Sequence, residues 1–143
     1  MDDPLEPLQI FIVEDSGIIC NRLDDALTAA GAVVIGHGGT ANEAIAALAL
    51  LHPDVIIIDI QLSSGTGFDV LRALQATRCA RSEIKIVLTN HTNAEYRTLS
   101  FQLGANAFFD KSSESSQALE LIHRLAAQRR HSDGGSMLRS PQA

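Results

Sequence analysis

Short apolar runs and amphipathic stretches alternate along the chain. Five runs rich in aliphatic and β-branched residues have the length and composition of buried strands. They span residues 8–13, 32–36, 54–59, 84–89 and 107–111. After each run, apolar side chains recur every three or four residues, which is typical of a helix that buries one face. The pattern therefore predicts five strand–helix units.

Residues that start and stop helices support this division. Gly31 follows the first helical stretch at the position of a C-terminal cap. Thr40 with Glu43, and Thr92 with Glu95, have the spacing of capping boxes, in which a threonine hydroxyl accepts a bond from a free helix amide. These pairs predict the starts of the second and fourth helices.

A loss of periodicity after residue 130 marks the predicted end of the folded part. The segment that follows is polar and rich in glycine, Ser132-Asp133-Gly134-Gly135-Ser136. We expect an N-terminal extension at residues 1–7, one domain at residues 8–130 and a flexible tail at residues 131–143.

The alternation of elements predicts the fold class. Nearly continuous aliphatic strands separated by helices indicate a parallel sheet with helices on both faces, which is a doubly wound α/β domain. Such sheets bind ligands beyond the carboxyl ends of their strands, where the strand order reverses. The residues directly after each strand are therefore the candidates for chemistry.

Composition narrows the class of protein. A length of 143 residues with 45% hydrophobic residues fits one globular domain. The formal net charge of −6 disfavours direct nucleic-acid binding, which requires concentrated lysine and arginine. No apolar run approaches the roughly 20 residues of a membrane span, so we expect no membrane insertion. Cys20 and Cys79 lie in helical stretches without a partner motif, and we interpret them as reduced, packed thiols of a cytoplasmic protein.

Three acids, a threonine and a lysine occupy the expected ligand edge. Glu14 and Asp15 follow the first strand, and the next strand ends are marked by Asp59, Thr89 and Lys111. If the first and third strands are neighbours, the carboxylates converge and repel one another. A hard divalent cation with oxygen ligands, such as Mg²⁺, offsets that repulsion. With the ammonium and the hydroxyl, this set suits phosphoryl transfer, and Asp59 is the central carboxylate that can accept the group.

Other interpretations of these residues remain open. The acid pair also suits the N-terminus of the first helix, where the dipole favours anions. Gly65 and Gly67 hint at a dinucleotide-binding loop, but Val70 occupies the third glycine position. A phosphatase with an Asp-x-Asp nucleophile motif is disfavoured because Gln61 replaces the second acid.

Five motifs occur in order along the chain. They are Val13-Glu14-Asp15, Ile57-Ile58-Asp59, the loop with Gly65 and Gly67, Leu88-Thr89, and Gly104-Ala105 followed by Phe108 to Lys111. Over residues 8–128 this ordered set resembles the receiver domain of two-component response regulators. The resemblance implies a flavodoxin-like fold with strand order 2-1-3-4-5. We expect a stand-alone, chemotaxis-regulator-like protein, because no output domain is evident after the receiver.

The resemblance also implies the phosphoacceptor and the metal ligands. Asp59 would accept a phosphoryl group from the phosphohistidine of a histidine kinase or a histidine phosphotransfer protein. Asp15 and Asp59 would bind Mg²⁺ directly, with the backbone carbonyl of Gln61 as a third ligand. Glu14 would act through a metal-bound water.

A switch is implied by the same resemblance. Lys111 and Thr89 would bind phosphoryl oxygens, and Phe108 falls at the aromatic switch position. Movement of Thr89 toward the phosphoryl group would leave space into which Phe108 rotates from outside. The face formed by the fourth helix, fifth strand and fifth helix would then change shape, and it is also a possible homodimer surface.

The chain departs from the usual receiver pattern at several positions. Ser112 stands where most receivers have a proline after the lysine, which leaves the isomer of the Lys111–Ser112 bond open. Asn90 is bulkier than the residue usually found after the threonine. Gln61 and His91 flank the path of a hydrolytic water. We therefore predict that Gln61, Asn90 and His91 set the lifetime of the aspartyl phosphate.

The functional prediction is a phosphoacceptor response regulator that controls a target protein in trans. It is a signalling protein, not an enzyme, and catalyses only its own phosphorylation and dephosphorylation. Two alternatives stay open. One is an intermediate phosphoryl shuttle, and the other is a receiver-like interaction module that acts without phosphorylation.

Overall fold

The computed structural model describes residues 6–77 and 83–139, and from residue 130 onward only the backbone. Within these ranges five strands alternate with five helices. The strands are β1 (Leu8–Val13), β2 (Ala32–Gly38), β3 (Val55–Ile58), β4 (Ile84–Thr89) and β5 (Ala107–Asp110). The helices are α1 (Gly17–Ala29), α2 (Ala41–Leu48), α3 (Gly67–Ala76), α4 (Ala94–Gln102) and α5 (Ser115–Arg139).

The five strands form one parallel sheet in the order β2-β1-β3-β4-β5. β1 pairs with both β2 and β3, and β4 pairs with β3 and β5. The predicted doubly wound sheet and its order 2-1-3-4-5 are thereby confirmed. The strand order reverses between β1 and β3, so their carboxyl ends border the crevice in which such sheets bind ligands.

Alternate strand residues fill two apolar layers, one on each face of the sheet. On one face Phe11, Ile56 and Val87 pack with α2, α3 and α4. On the other face Ile12 and Ile57 pack with α1 and α5. Every residue of β3 is buried, as expected for a central parallel strand with an unbroken aliphatic sequence.

Helix starts agree with the sequence analysis at α2 and differ at α4. Thr40 caps α2 as predicted. Asn93 caps α4, so the predicted cap at Thr92 is wrong by one residue, because asparagine is at least as good a cap as threonine. A reciprocal capping box between Thr66 and Asp69 begins α3, and the sequence analysis missed it. This box fixes the start of α3 close to the end of β3.

Helix α5 continues beyond the predicted end of the domain at residue 130. Residues 131–139, which the sequence analysis assigns to a flexible tail, belong to this helix. The sequence has no proline between residues 115 and 139, and two glycines weaken a helix by only about 1 kcal/mol each. Within residues 6–77 and 83–139, no helix has both the length and the apolar character needed to cross a membrane.

An ion pair ties α5 to the amino ends of the central strands. Arg129 Nη1 lies 2.7 Å from Asp54 Oδ1, and Arg129 Nε donates to the Glu6 carbonyl at 3.2 Å. Asp54 Oδ2 accepts a bond from the Gln9 amide at 2.8 Å. These contacts fix the position of α5 along the sheet.

Some predictions concern residues outside the described ranges. Residues 1–5 of the expected N-terminal extension, residues 140–143 of the expected tail, and Cys79 all lie there. Cys20 is described, free and buried. Burial and the neighbouring acids raise the pKa of its thiol, as expected for a packed, unreactive cysteine.

At Gly67 the chain passes so close to the backbone of Asp59 that a larger residue should destabilise the protein. A Cβ at Gly67 would collide with the Asp59 carbonyl oxygen and lie 3.0 Å from the Ile60 Cα. We expect Gly67→Ala to lower the free energy of unfolding by about 1–3 kcal/mol, measured by urea denaturation. Gly17→Ala is the matched control, since no atom lies within 4 Å of its Cβ position. Equal urea midpoints for the two variants would contradict this prediction.

Candidate functional site

The acids that follow β1 and β3 meet at one edge of the sheet. Glu14 and Asp15 come directly after β1, and Asp59 comes directly after β3. Because these strands are neighbours, one carboxylate oxygen of each acid lies within 4.8 Å of the others. The convergence predicted from the sequence is therefore present in the structure.

Lys111 bridges two of these acids from the end of β5. Its Nζ donates to Glu14 Oε1 at 2.7 Å and to Asp59 Oδ2 at 2.9 Å. The lysine side chain is 14% exposed and that of Glu14 is 3% exposed, so the contact is shielded from water. Burial of Lys111 acts to lower its pKa, but the bonds and charges of Glu14 and Asp59 outweigh it and raise the pKa. The ammonium is therefore held in its charged form.

Glu14 uses both of its carboxylate oxygens. Oε1 accepts from Lys111, and Oε2 accepts from the Ser16 amide at 3.1 Å. Burial raises the pKa of Glu14, and the nearby charge of Asp59 adds to that effect, whereas the bonds from Lys111 and Ser16 oppose it. Glu14 is therefore an acid whose charge is only partly compensated by the protein.

Asp59 has one oxygen engaged and one left over. Oδ2 accepts the Lys111 bond, whereas Oδ1 is the one buried side-chain atom in the described part of the chain that lacks a hydrogen-bond partner. An unsatisfied buried acceptor costs about 1–3 kcal/mol, so such atoms commonly belong to sites that bind a ligand or an ion. The orphaned oxygen and the all-oxygen donor set fit a hard cation such as Mg²⁺.

The start of α1 resolves one open alternative. The cap of this helix is Ser16, whose side chain accepts from the Ile19 amide at 3.3 Å. Neither Glu14 nor Asp15 caps the helix, and the Asp15 side chain is exposed at the site. The Asp15 carboxylate is thus available for a ligand, and the positive end of the helix dipole favours the negative charge there.

Thr89 is fully buried at the end of β4. Its hydroxyl oxygen accepts from the His91 amide at 3.2 Å, and its carbonyl accepts from the Lys111 amide at 2.9 Å. Three residues predicted to tune a phosphoryl lifetime, Gln61, Asn90 and His91, are exposed. The Lys111–Ser112 bond is trans, as are all the peptide bonds of the described residues.

The aromatic ring of Phe108 lies inside the protein. It is 6% exposed and belongs to the apolar layer that also contains Val87 and parts of α4. The predicted switch starts with this ring outside, whereas here the ring is already buried. Arg97 covers it, with its guanidinium carbon 5.4 Å from the ring centroid of Phe108 and 5.5 Å from that of Phe101. Arg97 was not predicted from the sequence, although its spacing of four residues from Phe101 on one helix places the two side chains on the same face.

Comparison with known proteins identifies the family. The family model described as "Response regulator receiver domain" matches residues 10–123. The chain belongs to this family. Receiver domains bind Mg²⁺ at an acidic cluster, and this receiver domain has such a group in Glu14, Asp15 and Asp59. Receiver domains also interact with histidine kinases and downstream effectors.

Individual relatives of the receiver domain have different outputs. The chain is 26% identical over 127 residues to the DNA-binding transcriptional activator DevR/DosR of Mycobacterium tuberculosis, covering 85% of this chain and 56% of that protein. It is 30% identical over 100 residues to a protein-glutamate methylesterase/protein-glutamine glutaminase of Rhizobium johnstonii, covering 69% of this chain and 28% of that protein. The chain thus spans about half the length of the first relative and less of the second.

A solved structure confirms the chemotaxis-regulator-like fold. The chemotaxis protein CheY4 of Vibrio cholerae superimposes with a TM-score of 0.73 at 24% identity, covering 82% of this chain and 98% of that one. The likeness extends over nearly all of that protein. The predicted resemblance to a chemotaxis-like receiver fold is therefore correct.

The raised pKa of Glu14 generates a prediction about pH. An acid with a raised pKa in the folded state binds protons more tightly there, so the metal-free protein loses stability as pH rises above the ordinary value of 4.5. Glu14→Gln has no carboxyl group to titrate at this position, so it does not lose stability for this reason. We therefore expect the free energy of unfolding of Glu14→Gln, relative to that of the unchanged protein, to increase as the pH rises above 4.5. Urea denaturation from pH 4 upward measures the difference, and parallel curves would refute the prediction.

Proposed function

We propose that this chain is a phosphoacceptor response regulator that takes a phosphoryl group onto Asp59 from a histidine kinase or a histidine phosphotransfer protein. The observation that carries the proposal is the buried, unpartnered Oδ1 of Asp59, beside a lysine that already holds the other oxygen. A carboxylate in this setting has a nucleophilic atom available and a fixed positive charge next to it.

The proposed reaction is a displacement at phosphorus. A carboxylate oxygen of Asp59 attacks the phosphorus atom, the P–N bond to the partner's imidazole breaks, and the imidazole nitrogen leaves with the electron pair. Lys111 neutralises charge on the phosphoryl oxygens. The Thr89 hydroxyl lies at the same edge of the sheet and donates a hydrogen bond to one of these oxygens. Catalysis of this kind needs mainly positioning and charge neutralisation, and both come from side chains at the strand ends.

The proposal includes Mg²⁺ as the cofactor. Glu14, Asp15 and Asp59 would hold it, and the resemblance to receivers adds the backbone carbonyl of Gln61. When bound, Mg²⁺ neutralises negative charge on the phosphoryl oxygens during transfer. The chain's own residues orient the acceptor, since Lys111 holds the Asp59 carboxylate and Gly67 packs closely against the Asp59 backbone carbonyl.

We also propose that Thr89 and Phe108 transmit the change. A phosphoryl group on Asp59 adds charge and acceptor oxygens to which the Thr89 hydroxyl can donate, and a move toward them would weaken the bond that Thr89 accepts from the His91 amide. Movement of Thr89 would alter the packing of Phe108, and with it the surface formed by α4, β5 and α5. That surface is the proposed docking site for a downstream protein, and also for a second copy of the chain.

The finer parts of the proposal concern phosphoryl lifetime, location and output. The exposed side chains of Gln61, Asn90 and His91 are proposed to govern access of water and so the lifetime of the aspartyl phosphate. We propose a cytoplasmic signalling protein that acts on a protein target, with no enzymatic reaction beyond its own phosphorylation and dephosphorylation. The relatives named above include a transcriptional activator and a methylesterase, so the kind of output differs within the family.

Intact-protein mass spectrometry after incubation with Mg²⁺ and acetyl phosphate tests phosphoryl acceptance. We expect one phosphoryl adduct, its loss in Asp59→Asn, and its loss when Mg²⁺ is chelated. Asp25→Asn, an exposed acid on α1, is the matched control and should behave as the unchanged protein. No adduct from either acetyl phosphate or a phosphorylated histidine donor would favour the alternative of an interaction module that acts without phosphorylation.

A phosphoryl shuttle is the second candidate within this proposal. In that case the adduct would be lost rapidly when an unphosphorylated histidine phosphotransfer protein is added, with the phosphoryl group recovered on that protein. An end-point regulator would keep its adduct under the same conditions. Both results are read in the same mass spectrum.

Hydrogen exchange of α4 tests the switch. We expect phosphorylation to change amide exchange in Ala94–Gln102, and Phe108→Ala to accept the phosphoryl group but to lose this change. The control is Phe101→Ala, which removes a 41% exposed ring that also contacts Arg97 and should leave the response in place. An unaltered response in Phe108→Ala would exclude this ring from the switch.

A further inference from the structure

The loop that carries Lys111 is closed by side-chain hydrogen bonds. Asp110 ends β5, and its Oδ1 accepts bonds from the amide of Ser112 at 2.8 Å and from the hydroxyl of Ser112 at 2.7 Å. An aspartate that accepts a bond from the amide two residues ahead forms an Asx turn, which mimics a backbone turn. Lys111 is the central residue of this turn, so the turn constrains its backbone.

Further bonds hold Lys111 from α5 and from β4. The Ser115 hydroxyl donates to the Lys111 carbonyl at 2.6 Å, and the Lys111 amide donates to the Thr89 carbonyl at 2.9 Å. The Asp110 amide in turn donates to Glu114 Oε1 at 2.8 Å. The amide and the carbonyl of Lys111 therefore both form hydrogen bonds, and so does the amide of Asp110.

This anchoring has a consequence for the ammonium group because lysine is long and flexible. Fixing a lysine side chain costs conformational entropy, because the free side chain samples many rotamers. Lys111 Nζ has to reach Glu14 Oε1 and Asp59 Oδ2 simultaneously, at 2.7 and 2.9 Å. A shift of the Lys111 backbone would move Nζ away from at least one of these oxygens. The precision of the bridge therefore depends on the turn beneath it.

Ser112 stands where the usual receiver pattern has a proline after the lysine. A proline restricts a turn through its ring, whereas a serine leaves the backbone free unless other bonds restrict it. Here the amide that a proline would lack is the donor to Asp110 Oδ1, and the serine hydroxyl adds a second bond. These two bonds also hold the pKa of Asp110 below its ordinary value, so the carboxylate stays charged as an acceptor.

We propose that Asp110 is a positioning residue for Lys111: its Asx turn with Ser112, together with the Ser115 hydroxyl, fixes the lysine backbone and aims the ammonium at Asp59. The inference rests on the proposed acceptance of a phosphoryl group by Asp59, and it adds residues that act through Lys111 rather than on the phosphoryl group itself. Lys111 is positioned through the hydrogen bonds that the Asp110 side-chain oxygen accepts, and the negative charge of Asp110 is not required.

Two substitutions separate the acceptor from the charge. Asp110→Ala removes the Oδ1 acceptor, whereas Asp110→Asn removes the charge but keeps an oxygen that forms the same turn. The sequence contains two lysines, Lys85 and Lys111, so ¹⁵N labelling of lysine side chains gives a two-signal NMR spectrum with an internal reference. Lys85 Nζ donates to the Glu83 carbonyl at 3.2 Å, far along the chain from the loop.

The expected results are specific to the lysine. In Asp110→Ala the Lys111 signal should shift toward that of an exposed lysine, while the Lys85 signal stays in place. The initial rate of adduct formation with acetyl phosphate and saturating Mg²⁺ should fall roughly tenfold, because displacing a catalytic group by about 1 Å can cost up to 100-fold. Asp110→Asn should restore both the signal and the rate.

A native Lys111 signal and a native rate in Asp110→Ala would overturn the inference. So would equal impairment of Asp110→Asn, since the charge rather than the turn would then be responsible. If Asp110→Ala does not fold, Ser112→Ala removes the hydroxyl bond alone, and a smaller change in the same direction is expected. If the unchanged protein forms no adduct, the proposed function fails, and the NMR comparison still decides whether the turn positions Lys111.

Discussion

The ammonium of Lys111 between Glu14 and Asp59 is the interaction on which the rest of the site depends. Three carboxylates meet there, so with one lysine they leave two uncompensated negative charges, the charge that a single Mg²⁺ offsets. Burial is the main reason that the pKa of Glu14 is raised, and the charge of Asp59 adds to it, so a proton on Glu14 would remove part of this negative charge. A bound cation and a proton would therefore compete to neutralise the excess negative charge of these carboxylates. A phosphoryl group would add further negative charge at the same edge of the sheet.

Much of this edge could be predicted from the sequence, because parallel strands constrain position strongly. The aliphatic runs mark the strands, and the residue after each run must lie at the carboxyl edge. Glu14, Asp15, Asp59, Thr89 and Lys111 were found in this way. The strand order came from the resemblance to receivers, and no periodicity in the chain would have supplied it.

Some contacts could not be predicted from the sequence. Their partners depend on tertiary packing, or on which of two equally suitable residues the backbone selects. Thr92 and Asn93 are both good caps, and only the backbone path selects Asn93. The Arg97 guanidinium over Phe108 joins α4 to β5, and nothing in either segment alone indicates it. The end of α5 depends on propensities that differ by fractions of a kcal/mol per residue, so a loss of periodicity at residue 130 could not locate it.

The buried position of Phe108 constrains the proposed switch. Its ring is buried and lies under the Arg97 guanidinium, a contact worth about 0.5–1 kcal/mol at an exposed site. Because the ring is already buried, a phosphoryl group can shift an equilibrium only through a contact that differs between the two states. Thr89 provides one, because its oxygen is bonded to the His91 amide and lies on the strand next to Phe108. In the proposed switch, the free energy available for signalling would be set at Thr89 and its loop, and the Arg97 contact would add to the stability of the buried ring.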